Sequence, residues 1–86
     1  MLHARSDYDA IQDPRNLIPD NEPVGLIRGQ DILGPATLEF WADENIRNGG
    51  DNAMSNAMRL HANKMREWQK NIAAKIPDAP PNVLRS

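Results

Sequence analysis

The run DNAMSNAMRLHANKMREWQKNIAAKIP, residues 51–77, decides the fold. Asp51 or Asn52 is a good helix cap and Pro77 bounds the segment, so the pattern predicts a helix over 52–75. Met54, Met58, His61, Met65, Trp68 and Ile72 recur at alternating spacings of four and three. That alternation is the seam of a coiled coil or helical bundle. These six residues form the expected oligomer interface. The opposite face reads Asn52, Asn56, Arg59, Asn63, Arg66 and Lys70, at the same spacing and without an acid.

Working outward, Gly49-Gly50 stops the preceding segment, because glycine readily takes the left-handed conformation after a helix. A first helix is expected over 35–48, its start falling at Asp31 or Pro35. Leu38, Trp41, Ala42 and Ile46 share one face of it. A short Gly-Gly connection predicts an antiparallel two-helix hairpin. At 1.5 Å per residue the second helix is roughly 35 Å long against roughly 20–25 Å for the first. The first helix therefore cannot cover the whole seam. The expected fold is mainly α: a helical hairpin with an extended Pro-rich arm, assembling as a homo-oligomeric bundle.

The arm spans residues 1–34. A short helix over 6–13 is one reading, with Ser6 as cap, Tyr8 and Ile11 on one face and Pro14 as stop; irregular backbone is the other. Pro14, Pro19 and Pro23 stiffen a turn-rich connector. Val24 to Arg28 is a short apolar run without an evident partner strand, expected to dock on a helix or to pair across a dimer. Residues 77–86 read as a tail or swapped arm. The whole is expected to be one domain of 86 residues.

From Met1 to Asp51 there are ten acids and four bases, a net of −6, whereas Asn52 to Lys75 carries five bases and one acid. The two halves attract, and a chain this small with a thin core gains from docking copies of itself. No cysteine is present, which favours a reducing, cytoplasmic setting. The first residues have no apolar core of a signal peptide, and no run approaches the roughly 18 residues of a membrane span.

Catalytic chemistry finds little here. His61 has Ala57, Met58, Lys64 and Met65 at helical spacing, none a catalytic partner, and is read as a packed residue that fixes register rather than as a base or pH switch. Asp7, Asp9, Asp13, Asp20 and Glu22 form no acid–base or metal constellation. No phosphate loop, dinucleotide fingerprint or nucleophile elbow occurs. No enzyme activity, cofactor or metal is expected. The methionine seam reads as packing rather than as an adaptable groove.

Two features point to a ligand. The acid-free stripe can hold phosphates or carboxylates, its alternative being a solvated face. Arg28-Gly29-Gln30-Asp31 places a cation, an amide and a carboxylate together, its alternative being a turn with Asp31 capping the first helix. In an anionic, nucleotide-like complex, Tyr8 or Trp41 would stack on a base. Gln30 and Asp31 would read its edges, and Arg28, Arg59 and Arg66 would meet phosphates.

The runs Tyr8-Asp9-Ala10-Ile11-Gln12-Asp13-Pro14, Ile18-Pro19-Asp20-Asn21-Glu22-Pro23-Val24 and Leu26-Ile27-Arg28-Gly29-Gln30-Asp31 carry a resemblance. With Pro35-Ala36-Thr37-Leu38, Phe40-Trp41-Ala42 and a helix ending near Trp68-Gln69, the chain resembles a group of small proteins of proteobacterial phages and prophages. The likeness covers about three quarters of the sequence. It departs at Gly25, where a bulky apolar residue is more usual. The group has no established activity, so no catalytic residue carries over. Its setting implies a counter-defence accessory protein in the host cytoplasm. The expected partners are further copies of the chain, with a sequestered nucleotide-like molecule first and a blocked host protein or phage particle second. A DNA-binding regulator ranks third, because the chain is acidic overall; a membrane is not expected.

Overall fold

The computed structural model describes residues 1–79; the part of the expected tail beyond Ala79 lies outside them. Regular structure is mainly helical: β1 (Leu2–His3), a 3₁₀ turn (Ser6–Tyr8), β2 (Pro23–Val24), α1 (Gly34–Arg47) and α2 (Asn52–Asn71). The chain divides into two compact units. One is Met1–Leu26 with the stretch from Asp78, and the other is Ile27–Pro77.

In the first unit β1 and β2 pair in parallel, with Leu2 opposite Pro23 and His3 opposite Val24. This corrects the expectation that the Val24 run lacks a partner in its own chain. The Leu2 N–H donates to the Glu22 carbonyl at 2.9 Å and the Ala4 N–H to the Val24 carbonyl at 3.1 Å. Pro23 opens its strand, where a missing N–H does no harm. Of the two readings for residues 6–13, helix or irregular backbone, the structure is nearer the second, with only a 3₁₀ turn over Ser6–Tyr8. Its cap position, Arg5, makes no side-chain cap bond and Ile11 is exposed, so the segment has no apolar face to bury. The connector winds around Asp13. Its carboxylate accepts from the backbone N–H groups of Arg15 (3.1 Å), Leu17 and Ile18 (2.8 Å). Asn16 takes φ 54°, a conformation asparagine tolerates.

In the second unit Pro35 lies in the first turn of α1, where no N–H is needed. The two glycines after α1 have different tasks. Gly49 adopts φ +78°, while a Cβ on Gly50 would overlap the Asn45 amide. Asp51 caps α2, its Oδ1 accepting from the Ala53 N–H at 2.7 Å. The helix stops at Asn71 rather than at residue 75. Lys75 instead forms a parallel bridge to Asp31, donating to the Gln30 carbonyl at 2.8 Å and accepting from the Ile32 N–H at 3.1 Å. Extended pairing supplies there the bonds that helix would otherwise make.

Leu38, Ala42, Ala62 and Met65 form the buried apolar core, with Met58 packed against it. Ser55 is fully buried; its hydroxyl donates to the Ala42 carbonyl at 2.7 Å and accepts from Asn45 Nδ2 at 2.9 Å. The buried face of α2 is therefore Ser55, Ala62 and Met65. It is rotated by roughly 65° from the expected seam, at about 100° per residue. Met65 belongs to both faces and Met58 is half-buried, whereas Met54, His61, Trp68 and Ile72 are exposed. The reason is steric. Ser55 and Ala62 are small and admit α1 closely, and α1 meets them with Ala42. On α1 the same shift leaves Trp41 and Ile46 exposed beside buried Leu38 and Ala42.

Candidate interaction surface

Three strips run along α2. The first is the buried face. The second is the polar stripe, which was expected to seek an anion and which finds acids on α1. Arg66 makes a bidentate pair with Glu39, Nη1 to Oε2 at 3.1 Å and Nη2 to Oε1 at 2.5 Å, and its Nη1 also reaches Asn63 Oδ1. Arg59 donates to Asp43 Oδ1 at 3.0 Å and to Asn56 Oδ1 at 3.3 Å. The hydrogen bond from Arg66 pulls the Glu39 carboxyl below its ordinary value, and Glu39 raises the Arg66 guanidinium in return. Both pairs are exposed.

The third strip is apolar and exposed. Met54 (51% exposed), Trp68 (39%) and Ile72 (66%) lie there with Ala57 and His61, and Leu60 (64%) is exposed beyond Lys64. On α1, Phe40 (66%) and Trp41 (42%) are also exposed. A concentration of large apolar side chains on a unit of this size makes this the candidate interaction surface.

The Arg28–Asp31 cluster is held by its backbone. Gln69 Nε2 donates to the carbonyls of Gly29 at 2.9 Å and Asp31 at 2.7 Å, while Lys75 bonds to Gln30. Asp31 Oδ1 accepts from the Leu33 N–H at 2.8 Å, so the carboxylate closes a turn ahead of α1. Asp31 is not the helix cap, which is Leu33. Arg28 is exposed. Trp68 lies against Gly29, where a built Cβ would be 4.0 Å from the indole.

Of the seven residues expected to hold a ligand, Tyr8 belongs to the first unit and the other six to the second. The Arg5 guanidinium lies 5.1 Å from the Tyr8 ring centroid, and His3 meets the ring edge-on at 6.5 Å. The tyrosine is thus already in contact on two sides. Arg28, Gln30 and Asp31 are neighbours on one clamped turn, and Arg59 and Arg66 share one stripe. Trp41 is exposed on α1.

Sequence reasoning missed Ser55, Asn45 and Gln69, which position the helices and the clamped turn. A signal was present for the first. Ser55 and Ala62 stand seven residues apart, as small residues do where helices pack closely. No comparable signal marks Gln69. Among the described residues no helix is long and apolar enough to cross a membrane, and no group of His, Cys, Asp and Glu is arranged to hold a metal ion. Compared with protein-family models, curated proteins and solved structures, the chain matches none.

Proposed function

We propose that this chain is a non-enzymatic interaction module. It is an antiparallel helical hairpin that assembles with copies of itself and acts by covering a protein surface. The supporting observation is the exposed apolar strip of α2. Such a strip in water is costly until another surface covers it. The pairing order of the helices favours the antiparallel arrangement: Glu39 with Arg66, Asp43 with Arg59, Ala42 with Ser55. In the setting that the phage resemblance implies, the assembly masks a host protein or takes a place in a phage particle, in the host cytoplasm. Light scattering at several concentrations tests the core of this reading. A mass that is a multiple of 9.6 kDa is expected. A folded single copy at all concentrations would refute self-assembly.

Sequestration of an anionic, nucleotide-like molecule is the second reading. It is favoured by the exposure of the Arg59 and Arg66 ion pairs, since exposed pairs are weak and exchange readily. An anion entering there displaces the carboxylates of Asp43 and Glu39. Calorimetry against cyclic dinucleotides and ADP-ribose derivatives tests it. Glu39→Gln is expected to tighten any genuine binding, and silence across the panel removes the reading. A DNA-binding role has the least support, because the chain is acidic overall, with a net charge of −2.

A further inference from the structure

The exposed strip of α2 is symmetric about its own middle. Met54 and Trp68 stand seven residues to either side of His61, so all three share one line along the helix. Ala57 flanks them, and all four are exposed. Lys64 follows on the outer side of Ala57, with Leu60 and Glu67 beyond it, so the flank carries one charge of each sign. We propose that two copies of the chain pair through this strip, with α2 crossing α2 of the second copy about a two-fold axis at His61. The proposal rests on the self-assembly reading above and names the surface that performs it.

Three observations favour a second copy as the occupant. A two-fold contact needs a patch that complements itself. Antiparallel crossing at His61 sets Met54 of each copy beside Trp68 of the other, and thioether and indole attract. The strip is also neutral, so two copies meet without net repulsion, whereas the polar stripe carries Arg59, Arg66 and Lys70. Finally, the unit buries few apolar side chains of its own, Leu38, Ala42, Ala62 and Met65. A small unit with so thin a core needs cover as soon as it folds, and an identical chain is the partner always present.

The chain has no cysteine, so a single introduced thiol reports one contact. His61→Cys and Asn63→Cys are compared under mild oxidation at low concentration, alongside light scattering of the unaltered chain. A thiol at the axis meets its copy, so His61→Cys is expected to cross-link about tenfold faster than Asn63→Cys, which lies on the polar stripe. If the unaltered chain assembles but the two variants link at equal rates, the axis is wrong and self-assembly stands. If the unaltered chain is a single copy, both readings fall and the strip belongs to a different protein. Met54→Glu, checked for helix content by circular dichroism, is expected to keep the fold, because Met54 is 51% exposed, and to lose the dimer. A Met54→Glu chain that still pairs also overturns the proposal.

Discussion

From Met1 to Leu26 no residue is buried, and the chain is held by a two-residue strand pair, a carboxylate that gathers three N–H groups, and Arg5 laid over Tyr8. From Ile27 to Pro77 two helices bury Leu38, Ala42, Ala62 and Met65 around a serine hydroxyl. The first unit depends on local dipoles and charges, the second on filled volume. Polar order of the first kind is cheap to encode in a proline-rich segment but responds to single atoms and to pH. Packing of the second kind resists pH and is sensitive to size.

The sharpest break in this contrast is expected at Met65. Met65→Ala removes the largest side chain of the core and should cost about 2–5 kcal/mol, read by urea unfolding. Ser55→Ala comes next. It deprives the Ala42 carbonyl and the Asn45 amide of a buried partner, an expected loss of about 1–3 kcal/mol in the same experiment. Asp13→Asn tests the other unit, because an amide accepts from the N–H groups of Arg15, Leu17 and Ile18 less well than a carboxylate does. Amide exchange should quicken at residues 15–18, while protection in α2 stays as it was. A loss of protection in α2 would show that the contrast is false.

The smallest effects are those of pH. Partial desolvation pushes the Asp13 carboxyl up, but its backbone hydrogen bonds together hold it below its ordinary value; Arg66 does the same for Glu39. For a carboxyl depressed by folding, the stabilisation is complete above the unfolded value, about 3.9 for aspartate and 4.3 for glutamate, and drains away as pH falls through the folded one. Melting temperature should therefore fall on acidification through that window. Glu39→Gln should flatten part of the fall and Asp13→Asn another part. An unchanged acid profile in Glu39→Gln would show that the Arg66 pair adds nothing.

Much of the hairpin was legible. The 4-3 spacing after Asp51, a cap at Asp51 or Asn52 and the break at Gly49-Gly50 depend on neighbours within a few residues; the helix and the break reappear in the structure, which takes Asp51 as the cap. The candidate surface was legible in part. The heptad of Met54, His61 and Trp68 marks an apolar line, but periodicity cannot say which edge of that line a partner helix will take. Ser55 and Ala62 settled this through their small volume, which matters only when a second helix approaches.

The sequence alone thus determined the two helices, their boundaries near the glycines, and the separation of α2 into a polar and an apolar side, because all of these follow from local bonding and the 3.6-residue repeat. Tertiary structure decided the rest. It turned the core face of α2 toward Ser55, ended that helix at Asn71 so that Lys75 could pair with Asp31, gave β2 its partner in Leu2–His3, and set Glu39 and Asp43 against Arg66 and Arg59. Each of these joins residues far apart in the chain, and their meeting depends on close packing and complementary charge that no local pattern encodes.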